Sequence, residues 1–270
     1  MRLTTTLNPW LRWPRPNPAA GVRLFCFPYA GGGTMTYRTW GEVLPATVEV
    51  CPIQPPGRED RLRETPFTEL QALVQTLSPI IQPYLDKPFA FFGHSMGALI
   101  AYELTRELWR QVDLLPVHLF VSGRGAPQLP SYLPPIHTLL DAAFLTESQR
   151  RYGGIPAMLW QEAELRALLL PLLRADLTLV ETYTYTPAPP LPCALTAFGG
   201  TRDKQVGQAD LAAWRTQAQD DLHVQRFEGD HFYLNYSPQP LLQAIGTALS
   251  EGPRRNPSAL TAHAPDSDFP

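Results

Sequence analysis

FAFFGHSMGAL, residues 89–99, is an apolar run that stops on Gly93-His94-Ser95-Met96-Gly97, a serine with a glycine two places away on either side. A buried strand ordinarily ends in a polar turn. Glycines at both positions imply a backbone too tight for side chains, and a serine at the centre of such a turn has its hydroxyl presented rather than packed. The residues that follow, MGALIAYELTRELWR (96–110), carry apolar positions at helical spacing. The pentapeptide Gly-x-Ser-x-Gly occurs by chance, and a serine at a plain strand-to-helix turn would account for it. Its setting makes it specific. With a strand before and a helix after, the glycines avoid clashes with both, and the hydroxyl stands at the carboxyl end of a sheet.

The same alternation extends in both directions. VRLFCFP (22–28) predicts a first strand leading into the glycine-rich loop YAGGG, and TVEVCPIQ (47–54) a second, closed by the turn PPGRED. Phe67, Leu70, Leu73, Val74, Leu77, Ile81 and Leu85 recur at helical spacing. PFAFFG (88–93) is the third strand, apolar throughout as a strand covered on both faces should be. VHLFVSG (117–123), CALTAFGG (193–200) and LHVQRFEG (222–229) add three more, with ADLAAWRTQA helical before the last and a final helix over about 238–250. Strands alternating with helices predict an α/β fold with a mostly parallel central sheet flanked by helices.

One segment breaks the rhythm. Residues 125–185 contain no convincing strand and read as short amphipathic helices broken by Pro156 and Pro171. Roughly sixty residues exceed what one crossover needs, so a helical lid over the carboxyl ends of the strands is expected, in preference to an ordinary helical layer. Residues 1–252 would form the domain. The polar, proline-rich 253–270 is expected to be a disordered tail.

Composition excludes several classes. A hydrophobic content of 44% can fill the core of a single unit of 270 residues, and a formal charge of −3 gives no reason to expect nucleic acid or an anionic membrane. No apolar stretch approaches the about eighteen residues of a spanning helix. The first eighteen residues hold four prolines and no apolar core, unlike a secretory signal. Cys26, Cys51 and Cys193 lie in apolar or strand-like segments without paired spacing and read as buried thiols. No His/Cys/Asp cluster has ligand spacing, so no metal or bound cofactor is expected. These features suit a soluble, cytoplasmic protein.

A serine hydroxyl is a poor nucleophile until a base takes its proton. Of the six histidines, His94 is fixed by the turn itself, His118 and His223 lie within strands, His137 begins the lid and His263 is in the tail. His231, in EGDHFYL directly after the last strand, is the candidate base. AFGGTRDKQV places Asp203 just past the fifth strand, completing the chain order Ser95, Asp203, His231. Asp230 is a rival acid, although adjacent side chains diverge, and Asp176 in LRAD a weaker one. The developing oxyanion needs donors. The amide of Met96 at the helix start is one, and the loop PYAGGG should supply the other, with Ala30 favoured and Tyr29 or Gly31 as alternatives. AGGG lacks the lysine and spacing of a phosphate-binding loop.

The segments LFCFPYAGGG, PPGREDRL, FFGHSMGALIAYEL, SGRGAP, LPLLRADLTLVETYTY, GGTRDKQV and GDHFYL, in that order, resemble the type II thioesterases, the stand-alone hydrolases of polyketide and nonribosomal peptide synthesis. They are also similar to the medium-chain fatty acid thioesterase. The resemblance covers about residues 10–250 and implies an α/β-hydrolase fold with a catalytic triad of Ser95, Asp203 and His231 and an oxyanion loop at Ala30 and Met96. It further implies acyl groups on the phosphopantetheine arm of an acyl or peptidyl carrier protein as substrate, removed in trans. Tyr29 stands where many members have histidine. On this reading Met158, Leu159, Trp160, Leu168 and Leu169 would line an acyl pocket. A carboxylesterase or lipase acting on oxygen esters, and a chain-releasing thioesterase, share the same chemistry. A non-catalytic binding module is the reading of a different class, and a free-standing chain favours hydrolysis in trans over release.

Overall fold

In the computed structural model, which describes residues 8–131 and 133–251, all six expected strands form. They are β1 Val22–Phe27, β2 Val48–Pro52, β3 Phe89–His94, β4 His118–Ser122, β5 Ala194–Gly200 and β6 Leu222–Phe227. All neighbours pair in parallel, in the order β2-β1-β3-β4-β5-β6. The α-helices longer than four residues are α1 Leu70–Ile81, α2 Met96–Val112, α3 Asp141–Arg151, α4 Ala163–Glu181, α5 Gln208–Ala212 and α6 Pro238–Glu251.

The alternation of side chains along each strand sorts the core into two layers. Phe25, Phe27, Phe91, Leu119, Val121 and Leu195 face α1 and α2, whose buried Leu73, Val74, Leu77, Leu99 and Leu108 recur at helical spacing. On the other face Leu24, Cys26, Val50, Phe92, Phe120 and Phe198 pack with Trp40 and with Leu241, Leu242 and Ile245 of α6. The three cysteines are free and buried, and burial pushes their thiols up.

The chain steps outward from β1 to β2 and then returns to the other side of β1 with β3. The strand order therefore reverses between β1 and β3, the place where ligands bind in open α/β sheets. Phe27 pairs with Gly93. That register sets the glycine-rich loop after β1 beside the serine turn after β3.

Between β4 and β5 the chain is helical, as expected. One detail differs. Pro171 lies inside the 19-residue α4 and does not break it. Both Pro171 and Ala167, whose carbonyl loses its partner, are on the exposed side, while Leu170, Leu172 and Leu177 hold the opposite side in packing. Ile136, Phe144, Leu145, Leu170 and Leu177 form a third small core that packs against Ala30. The segment 253–270 and His263 lie outside the described residues.

Candidate active site

Ser95 has φ 54° and ψ −111°, a conformation that side chains rarely adopt. Two backbone approaches hold it there. A Cβ on Gly93 would sit 2.0 Å from the carbonyl oxygen of Gly97, and one on Gly97 would sit 2.0 Å from that of Phe27. The turn is closed by the Ser95 amide, which donates to the Ser122 carbonyl at 2.7 Å, and by the Ala98 amide, which donates to the Ser95 carbonyl at 3.1 Å. Ser95 is part-exposed between buried neighbours, and its hydroxyl has no hydrogen-bond partner among the described residues. Serine–imidazole bonds are often long before substrate binds.

The other two candidates meet each other. His231 Nδ1 lies 2.7 Å from Asp203 Oδ2, with the side chains 5% and 0% exposed. Both stand on short loops after adjacent strands, for Gly200 and Phe227 pair at the carboxyl ends of β5 and β6. Asp203 is anchored by amide donation from Gln205 at 2.8 Å to its other oxygen. The alternatives are engaged elsewhere: exposed Asp230 accepts from the Phe232 amide at 2.9 Å, and Asp176, on the buried face of α4, pairs with Arg58.

Behind these residues runs a buried chain that the sequence did not disclose. His94 Nδ1 is 2.8 Å from Ser122 Oγ, which is 2.6 Å from the Tyr233 hydroxyl. The His94 ring lies 5.1 Å from that of His231, centroid to centroid. Burial first, and the neighbouring His231 second, hold His94 well below the usual histidine range. The chain ties the residue before Ser95 to the residue two after His231. Tyr29 makes a second tie, since its hydroxyl accepts from Asn235 Nδ2 at 3.0 Å and its ring meets Phe232 edge-on at 5.0 Å.

The oxyanion candidates separate. The Gly31 amide donates to Asp176 Oδ2 at 2.7 Å and the Gly32 amide to the Tyr29 carbonyl at 2.9 Å. The amides of Ala30 and Met96 have no acceptor among the described residues. Of the expected acyl-pocket residues, Leu159 is buried, but Met158, Trp160 and Leu168 are 51%, 43% and 51% exposed. Leu170, Tyr152 and Leu173 also approach the site: Tyr152 meets the His231 ring at 5.5 Å, and Leu170 and Leu173 share the small core that touches Ala30. A groove of about 1190 Å³ opens far from these residues. His118, Ala194 and Leu222, which line it, begin β4, β5 and β6, so it lies at the wrong end of the strands for this chemistry.

Sequence reasoning also missed Arg58 and set Asp176 aside. The signal was present as a lone acid inside LLLPLLRADLTLV, where a carboxylate on an apolar helix face requires a buried cation. Arg58 is that cation, paired with Asp176 at 2.8 Å.

A parallel sheet flanked by helices, with a serine on a strained turn after a central strand, defines an α/β-hydrolase fold. Residues 22–249 match the family model described as a thioesterase domain. The chain is 44% identical over 243 residues to the gramicidin S biosynthesis protein GrsT of Aneurinibacillus migulanus, spanning 90% of this chain and 94% of that protein. It is 40% identical to the solved structure of RedJ, the thioesterase from the prodiginine biosynthetic pathway of Streptomyces coelicolor, with a TM-score of 0.80 over 86% of this chain and 92% of that one. It is 30% identical to YbtT, a type II thioesterase from the yersiniabactin NRPS/PKS pathway, with a TM-score of 0.78 over 90% and 98% of the two chains. The chain belongs to the thioesterase family. No helix among the described residues is long and apolar enough to cross a membrane.

Proposed function

We propose that the protein clears acyl groups in trans from the phosphopantetheine arm of acyl or peptidyl carrier proteins of a polyketide or nonribosomal peptide synthase. The observation that carries the chemistry is the buried 2.7 Å contact between His231 Nδ1 and Asp203 Oδ2, at the same end of the sheet as the Ser95 turn. Ser95 is the nucleophile. His231 accepts its proton through Nε2 as Oγ attacks the thioester carbonyl, and Asp203 fixes the tautomer and stabilises the imidazolium. The amides of Ala30 and Met96 receive the negative charge of the tetrahedral intermediate. Collapse breaks the C–S bond, and His231 returns the proton to the departing thiol. Water, deprotonated by the same histidine, then attacks the acyl-serine, and the proton goes back to Ser95 as the free acid leaves.

The substrate class rests on kinship with relatives named for gramicidin S, prodiginine and yersiniabactin biosynthesis. The helical segment over the carboxyl ends of the strands serves as the lid. The test is hydrolysis of one acyl chain presented on a holo carrier protein, on a short free thiol and as an oxygen ester, with Ser95→Ala as control. The carrier-bound thioester should show the highest kcat/KM and the variant should be inactive. A preference for the oxygen ester would make the protein an esterase, and an active variant would refute the role of Ser95.

A further inference from the structure

We propose that the buried pair Arg58–Asp176 positions the oxyanion loop, so that the hole is formed only while α4 is docked on the glycine-rich loop. This rests on the reading of the Ala30 amide as an oxyanion donor. Arg58 and Asp176 are 5% and 3% exposed at their side chains and meet as a fork, with Nη2–Oδ1 2.8 Å and Nη1–Oδ2 3.1 Å. Both partners also reach into the loop. Asp176 Oδ2 accepts from the Gly31 amide at 2.7 Å, and Arg58 Nη1 donates to the Gly32 carbonyl at 2.9 Å. Three separate stretches of chain, the loop after β1, the turn after β2 and α4, therefore converge on two peptide groups.

The gripped peptides are Ala30–Gly31, which directly follows Ala30, and Gly32–Gly33 beyond it. Gly31 has φ +74°, and a Cβ there would lie 3.2 Å from Leu173 of α4. Orienting its N–H fixes the Ala30–Gly31 peptide plane, so that only the φ and ψ of Ala30 separate the anchored peptide from the one that carries the Ala30 amide. Glu59, next to Arg58, holds the far end of the same loop. It accepts from the Met35 amide at 3.1 Å and from Thr34 Oγ1 at 2.5 Å.

Charge gives the pair a second property. A carboxylate one residue from an oxyanion donor would oppose the negative charge of the transition state, and the Arg58 guanidinium compensates it in place. A buried ion pair is weak evidence of added stability, since apolar residues of similar volume often serve as well. Its separate worth lies in the two loop contacts that an apolar pair would not make. Arg58 and Asp176 touch no reacting atom. They are positioning residues.

The test is the double variant Arg58→Met/Asp176→Leu, which fills the site with apolar side chains. The expected result is a folded protein with thermal midpoint retained, KM within about threefold, and kcat lowered by roughly 10²-fold, the scale of one lost oxyanion donor. A folded double variant with wild-type kcat would overturn the proposal. If the double variant does not fold, Arg58→Lys decides. Lysine keeps the charge but cannot span Asp176 and Gly32 together, so kcat should fall about tenfold at constant KM. Unchanged kcat in that variant would equally overturn it. Ser95→Ala, assayed alongside, separates the two claims: an active Ser95→Ala refutes the underlying catalytic reading, whereas an inactive one with unaffected Arg58 and Asp176 variants refutes the positioning role alone.

Discussion

At the level of single residues, the proposed mechanism depends on Ser95 being held where a side chain would not otherwise rest. A non-glycine residue in a sparsely populated backbone region costs on the order of 1–3 kcal/mol, which the surrounding packing supplies. The histidine is set with equal care. Asp203 accepts at Nδ1 and leaves Nε2 as the free acceptor, so Asp203→Asn, which favours the wrong tautomer, should lower kcat by about 10³–10⁴-fold while the circular dichroism spectrum stays unchanged. A smaller loss would mean that another group orients His231. The placement of Ser95 and Asp203, the proposed nucleophile and acid, was legible because both sit at ends of strands that local pattern reveals. The chain His94–Ser122–Tyr233 was not, because its members are 28 and 111 residues apart and only the parallel register of β3 and β4 brings the first two together.

At the scale of elements, the turn between β3 and α2 depends on backbone contact. Gly97→Ala would drive a Cβ to 2.0 Å from the Phe27 carbonyl oxygen and 2.8 Å from that of Pro28, forcing α2 away from β1. Backbone cannot yield as a flexible side chain does, so the variant should lose at least about 3 kcal/mol of stability in urea unfolding or fail to accumulate folded. Gly21→Ala is the matched control. Its Cβ would meet nothing nearer than the Thr47 carbonyl at 4.0 Å, and it should stay within about 1 kcal/mol of the parent. Helix α4 shows where local rules fail. Proline read as a break at position 171, yet the helix continues because its unmatched carbonyl faces solvent and a leucine face buries on the other side. Asp176 carries the same lesson: the acid is visible in the sequence, but the arginine it needs comes from a turn 118 residues earlier.

At the scale of the whole molecule, two histidines make stability depend on pH. Burial first, and His223 second, lower His118 to about 4, where it stacks on Phe120 at 4.0 Å and bonds Thr196 at 2.8 Å. His94 moves in the same direction. Unfolded histidine titrates near 6.5, so below that pH the unfolded chain binds more protons than the folded one. The stability is complete above about pH 6.5 and is lost as pH falls toward 4. Between pH 6.5 and 5 the His118 share is about 1–2 kcal/mol. Urea midpoints at these two pH values should fall less in His118→Gln than in the parent, and an identical fall would remove His118 from the account. The sheet order was legible only as far as alternation implies a parallel sheet. Which strands adjoin, and hence why the loops after β1 and β3 share one site, follows from a reversal that no local pattern encodes.

In the proposed mechanism the fold activates Ser95 through His231 and Asp203. A fluorophosphonate probe tests it most directly, because the serine oxygen displaces fluoride from phosphorus only when a base takes its proton. Intact-protein mass followed by peptide mapping should find one phosphonyl group, on the peptide holding Ser95, with labelling abolished in His231→Ala and slowed in Asp203→Asn. A folded wild-type protein left unlabelled, labelled at another residue, or labelled equally fast without His231 would refute activation of Ser95 by this histidine.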